Sequence, residues 1–168
     1  MSATWHLAQI NVGRMVAPQG DPRVQGFFDA LDEVNALAEA SPGFVWRLVG
    51  EGNSATDIQP TIDPLLLMNM SVWEDAESLF GFVYRSSHTP VMSRRRDWFD
   101  RFEGAYMALW WIPAGTIPTI NDDLSRLWHL DRFGPTPHAF TFKLRFPAPG
   151  VGAPPVDMHP DPWCVGNA

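Results

Sequence analysis

The chain is short of cysteine, lysine and positive charge, and it has no long apolar run. Its one cysteine, Cys164, has no partner for an intrachain disulfide, which fits a reducing compartment. Lys143 is the only lysine among 12 Lys and Arg, set against 19 Asp and Glu for a net charge of -7. A phosphate-backbone binder shows the opposite balance, so nucleic acid is excluded as the expected partner. No stretch approaches the roughly 20 apolar residues that span a bilayer. Residues 1–6 also lack the basic start and apolar run of a secretory leader. The expectation is a cytoplasmic protein with no membrane partner. A Gly-rich phosphate loop, paired cysteines, and the His-x-x-x-His and His-Glu-x-x-His spacings are missing. A Ser nucleophile elbow is missing too. His159 and Cys164 alone are too few ligands for a metal site. No metal and no cofactor is therefore expected. Haem is the one exception kept open, because a single imidazole can serve as axial ligand; His88 is the candidate.

What the chain does have is aromatic bulk. Eight Trp, 11 Phe and 45% hydrophobic residues in 168 positions describe a folded domain with a real core. Trp5 to Val12 reads as a strand buried on both faces, with Leu7 and Gln9 on one side and His6, Ala8 and Ile10 on the other. Asp21-Pro22 reads as a helix start, an acid cap followed by proline. Val24, Phe27, Phe28, Leu31, Val34 and Leu37 then recur at helical spacing up to Ser41-Pro42-Gly43. Phe44–Val49 reads as a strand with Phe44, Trp46 and Leu48 on one face and Val45, Arg47 and Val49 on the other. Gly50 to Pro64 reads as a loop. Leu65 to Trp73 is a strand, and Glu74-Asp75 opens a helix through Ala76, Leu79, Phe80 and Val83.

Thr89-Pro90 reads as another helix start. Val91, Met92, Arg95, Trp98, Phe99 and Phe102 follow at helical spacing. Tyr106 to Ile112 is a strand. Thr119 with Asp122 resembles a capping box for a helix over Ile120, Leu124, Leu127 and Trp128, ended by Gly134-Pro135. Ala139 to Phe146 is the last strand. Residues 1–146 then form one domain and residues 147–168 a Pro-rich extended tail. The fold class is α+β: a ferredoxin-like antiparallel sheet with extra helices. Helices on one face leave the other, apolar face bare, so two sheets are expected to pack together in a homodimer with a barrel-like core.

His6–Asn11, Leu31–Glu39 and Pro42–Leu48 resemble an uncharacterised bacterial family of domains of unknown function. The likeness continues through Asn69–Glu74, His88, Arg94–Phe99 and Leu109–Gly115. That family is similar to the dimeric α+β barrel superfamily, home of the antibiotic-biosynthesis monooxygenases. The resemblance covers residues 5 to 146 and implies the fold more directly than an activity. It suggests a cofactor-independent oxygenation in which the deprotonated substrate itself reacts with oxygen.

Three constellations bear on chemistry. Five arginines fall at Arg85, Arg94, Arg95, Arg96 and Arg101, but helical geometry points Arg94, Arg95 and Arg96 about 100° apart. Arg95 shares the stripe of Met92, Trp98 and Phe99 and is the candidate inward guanidinium for a carboxylate or phenolate. Asp97, Asp100 and Glu103 offer the others surface partners. His88, His6 and Arg47 form the second set. His88 is the candidate general base, or else a group packing a helix end. His6 is a candidate binding residue, or a core histidine. A buried Arg47 requires a partner, either a protein carboxylate or a bound anion, and so is a candidate anion stabiliser. Trp46, Trp73, Trp98 and Trp110 are the third set. They suit a planar aromatic ligand, and equally an aromatic core or interface. Trp110 and Trp111 face opposite ways, so at least one lies outside any pocket. The functional expectation is a small enzyme acting on a hydrophobic or aromatic molecule, by cofactor-independent monooxygenation or proton-transfer isomerisation. A non-catalytic binder or a haem protein is the alternative.

Overall fold

A computed structural model of the protein describes residues 4–85 and 89–157. Chain order begins β1 (Trp5–Arg14), α1 (Gln25–Ala40), β2 (Phe44–Arg47), β3 (Leu66–Trp73), α2 (Ala76–Arg85). It continues α3 (Thr89–Ser93), α4 (Arg95–Trp98), β4 (Met107–Pro113), α5 (Ile120–Phe133), β5 (Leu144–Arg145), β6 (Val156–Asp157). The first four strands form one sheet in the order β2-β3-β1-β4, with every neighbouring pair antiparallel. This is the ferredoxin-like split β-α-β arrangement, with the two central strands contributed by β1 and β3. The fold is α+β, as the alternation of elements in the sequence implies.

Period-two alternation divides the sheet's side chains. One face carries Leu7, Gln9, Asn11 and Gly13 of β1 opposite Trp73, Ser71, Asn69 and Leu67 of β3. The other carries Ala8, Ile10, Val12, Met68, Met70, Val72 and Trp110, all buried in one core with Leu127 and Leu130 of α5. Here the structure corrects an expectation. The second face is not bare: α5 packs across it within the same chain. α5 begins at the expected capping box, with Thr119 Oγ1 accepting from the Asp122 N–H at 3.2 Å and the Thr119 N–H reaching Asp122 Oδ2 at 3.4 Å. It ends at Gly134, whose φ of 74° suits glycine.

Four further boundaries differ from expectation. α1 starts at Gln25 rather than at Asp21-Pro22 and has no side-chain cap. Asp21 is spent on Arg23, accepting from its backbone N–H at 2.9 Å and its guanidinium at 3.0 and 2.8 Å. The stripe from Val91 to Phe102 is not one helix. α3 and α4 break at Arg94, and after Trp98 the chain turns extended to bond β1's continuation, with Asp100 N–H on the Arg14 carbonyl at 2.8 Å. β2 is only four residues long, and its register slips between Phe44 and Trp46. Phe44 therefore faces Trp73 and Arg47 faces Ser71, while Trp46 pairs with Val72 of the opposite face. Finally, most of 139–146 is not a strand. Phe140 exchanges two backbone bonds with Leu109 (2.8 and 2.9 Å). Leu144–Arg145 pairs with Val156–Asp157, so residues 147–157 fold back on the domain. No helix among the described residues is long and apolar enough to cross a membrane.

Candidate functional site

A cavity of about 170 Å³ lies between the first sheet face and helices α1, α2 and α4. An enclosed apolar cavity of about 150 Å³ holds benzene, so this volume suits one aromatic ring with short substituents.

The floor of the cavity is polar, although it sits on the two central strands. Gln9 Nε2 donates to Asn69 Oδ1 at 2.8 Å and to Ser71 Oγ at 3.0 Å. Asn11 Nδ2 donates to Gln9 Oε1 at 3.3 Å, and Trp73 Nε1 donates to Ser71 Oγ at 2.8 Å. Ser71 Oγ thus accepts twice, which engages both lone pairs and leaves its own O–H to donate. Gln9 and Ser71 are buried, which is costly for polar groups unless they are bonded, and here their neighbours satisfy them.

Aromatic rings form the walls. At one side Trp73 stacks with Phe82, centroids 5.3 Å apart, and meets Phe44 edge-on at 5.4 Å. At the other, Phe27 meets Phe99 edge-on at 5.0 Å and Trp98 at 5.9 Å. Arg95 enters from this second side. Its Nη2 donates to the Val12 carbonyl at 3.1 Å, and its guanidinium lies 5.1 Å from the Phe99 centroid and 5.4 Å from that of Tyr106. It makes no ion pair with any described residue. Burial pushes its pKa below the usual guanidinium value, with Tyr106 acting the other way. The desolvated charge is held by π faces and one carbonyl, a setting that attracts an anion. Its neighbour Arg94 instead pairs with Asp97 at 3.2 Å on the surface.

Arg47 also lines the cavity but is already satisfied. It is 7% exposed, its Nε bonds Glu39 Oε1 at 2.7 Å, and Nη1 and Nη2 bond the Asn53 carbonyl and Oδ1 at 2.9 and 3.1 Å. Of the two partners its burial requires, a protein carboxylate or a bound anion, the structure supplies the carboxylate.

The remaining expected site residues divide cleanly. Trp73 and Trp98 line the cavity. Trp110 is buried against α5 with Arg126 over its ring at 5.7 Å, Trp46 packs on that same core, and His6 alternates onto that face of β1, paired with Ile112. These three are on the wrong side of the sheet for the cavity, and β2's slipped register accounts for Trp46. His88 lies outside the described residues, as do His159, Trp163 and Cys164. The sequence reasoning missed the polar floor itself. Its pattern is visible as Gln9-x-Asn11 and Asn69-x-Ser71, polar residues at period two inside apolar strands.

Among the described lining residues the only ionisable groups are Arg47 and Arg95; none is Asp, Glu or His. No group of three or more His, Cys, Asp or Glu able to hold a metal occurs among the described residues.

Comparison with known proteins gives the following. The family described as domain of unknown function (DUF3291) matches residues 6–154, reaching past Phe146. No curated protein matches the chain. Among solved structures, a conserved protein from Methanosarcina mazei Go1 is 14% identical, with a TM-score of 0.46 over 66% of this chain and 93% of its own. SnoaB, a cofactor-independent oxygenase from Streptomyces nogalater, is 15% identical, with a TM-score of 0.43 over 68% and 98%. PA3566 from Pseudomonas aeruginosa is 15% identical, with a TM-score of 0.44 over 69% and 98%.

Proposed function

Because the chain belongs to the DUF3291 family, whose description assigns no activity, we propose a function read from its own cavity. The protein binds a small planar organic anion, an aromatic carboxylate, phenolate or enolate, and acts on it as an enzyme by stabilising that anionic form. The observation that carries this reading is Arg95, a half-buried guanidinium without a carboxylate partner among the described residues, set in an aromatic wall above a hydrogen-bonding floor. A fixed cation in a water-poor site favours negative charge far more than the same cation in bulk water. A stabilised phenolate or enolate is the species that reacts with oxygen without a cofactor, and also the species through which a proton is moved in an isomerisation.

A second reading, binding without turnover, is favoured by the absence of Asp, Glu and His from the described lining, since proton abstraction needs a base within reach. Calorimetric titration with benzoate, salicylate and neutral benzamide tests the binding step. The anions should bind and benzamide should not. Arg95→Met should weaken salicylate about 10- to 100-fold, the loss expected for a charged hydrogen bond. Equal affinity in wild type and variant would reject Arg95 as the anion contact. Oxygen uptake or product formation from a bound phenol separates enzyme from binder.

A further inference from the structure

Residues 48–65 join β2 to β3 with no helix or strand. In a compact domain an unstructured connection of this length is usually a lid or a binding loop. Ser54, Ala55 and Thr56 of this connection form part of the cavity wall, and Ala55 is its one buried residue. Its tip closes on itself. The Gly50 N–H donates to the Ser54 carbonyl at 2.8 Å, the Glu51 N–H to Asp57 Oδ2 at 2.7 Å, and the Ile58 N–H to the Ala55 carbonyl at 3.1 Å. A Cβ at Gly50 would overlap the Asp57 carboxylate, so the compact tip depends on that glycine. Leu48 and Ile58 pack at the edge of the α5-side core and root the two ends.

Between those roots, the side-chain hydrogen bonds from the tip to the body among the described residues converge on Asn53. Its carbonyl accepts from Arg47 Nη1 at 2.9 Å and from Asn35 Nδ2 at 3.3 Å. Its Oδ1 accepts from Arg47 Nη2 at 3.1 Å, and its Nδ2 donates to Asp32 Oδ1 at 3.1 Å. Asn53 and Asp32 are exposed, so water can replace their bond at small net cost, and it reaches the buried Arg47 and Asn35 once the tip lifts. Little apolar surface has to be uncovered as the tip lifts, the condition for low-energy local opening.

We infer that residues 49–57 are a strap that lifts as a unit to admit the ligand, with Asn53 as its latch. The inference rests on the cavity being the binding site. It also gives Arg47 a role other than anion contact: its guanidinium ties α1, through Glu39, to the strap, through Asn53.

The test measures opening first without any ligand. In a Cys164→Ser background, Ala55→Cys is labelled with 5,5′-dithiobis(2-nitrobenzoate), with Thr56→Cys as a second reporter should Ala55→Cys fold poorly. Asn53→Ala should raise the labelling rate about tenfold, the effect of losing two hydrogen bonds, one of them to a guanidinium. A cysteine at Ala108, buried on the other face, should label no faster. An unchanged rate at the strap, or equal acceleration at both positions, overturns the strap. Stopped-flow fluorescence with salicylate then measures access. Asn53→Ala should raise association and dissociation rates together by about tenfold, with affinity nearly constant. Binding with unaltered rates overturns the latch alone. Failure of salicylate to bind the wild type overturns the cavity reading, and with it the strap's role in access, whatever the labelling shows.

Discussion

Arg95 reaches β1 at the Val12 carbonyl because Gly13 is the next residue. A Cβ on Gly13 would stand 2.7 Å from Phe99 Cδ1 and 3.2 Å from Arg95 Nη2. Gly13→Ala is therefore expected to push Phe99 and Arg95 off the strand, at a cost of about 1–3 kcal/mol in stability from overpacking. It should also reduce salicylate affinity although the guanidinium itself is intact. Urea unfolding and calorimetry together check this. Wild-type affinity in Gly13→Ala would contradict the dependence of Arg95 on its neighbour.

Arg47 and Glu39 should respond unequally to substitution, because Arg47 is 7% exposed and Glu39 50%. Arg47→Met removes three bonds that hold β2, α1 and the strap together and should cost about 2–4 kcal/mol. Glu39→Gln keeps a neutral acceptor at the surface and should cost under about 1 kcal/mol. Comparable losses in the two variants would mean that the ion pair, and not the Asn53 contacts, is what Arg47 contributes.

Asp123, in the first turn of α5, is fully buried, and neither carboxylate oxygen has a hydrogen-bond partner among the described residues. Burial, reinforced by Asp122 and opposed by Arg126, pushes its pKa up to about 8 from 3.8. Below 3.8 both folded and unfolded chains hold the proton and the difference vanishes. Between there and about 8 the unfolded chain releases it while the folded chain keeps it, so stability falls as pH rises through that window. Asp123→Asn should flatten this dependence and exceed the wild type by on the order of a few kcal/mol at pH 9. Denaturant curves at pH 6 and pH 9 measure it, and identical pH slopes for variant and wild type would refute it.

Thr119→Ala deletes the side-chain half of the capping box that starts α5. A loss of about 1 kcal/mol is expected, seen as a lower urea midpoint with an unchanged slope. Because α5 covers the sheet face opposite the cavity, salicylate affinity should stay at the wild-type value.

The elements were legible in the sequence wherever local chemistry decides them. The Thr119–Asp122 box, the glycine at 134 and the alternation of β1 and β3 all act within a few residues. Arg95 was legible for a related reason. Its spacing from Trp98 and Phe99 survives in the single turn of α4, although the longer helix around it breaks at Arg94. What could not be read was set by distant parts of the chain. Asp100 bonds Arg14, which draws the chain after Trp98 out of its helical periodicity. α5 crosses back over the sheet, and nothing in its own stripe says which face it will cover. The polar floor was missed because Gln9 and Asn11 belong to β1 and Asn69 and Ser71 to β3. They become one network only when the strands pair, and each pair alone looks like a blemish in an apolar strand.

The slipped register between Phe44 and Trp46 acts as a parity switch at the rim of the sheet. With side chains alternating at period two, the one extra residue puts Phe44 and Arg47 on the same side although their spacing is odd. Straightening the bulge while keeping every residue would restore regular alternation over a spacing of three and turn either Phe44 or Arg47 away from the cavity, whereas deleting the extra residue would leave both on the cavity side. The edge strand can thus exchange a guanidinium for an indole at the cavity wall by losing its register slip at constant length, with no change in any other element.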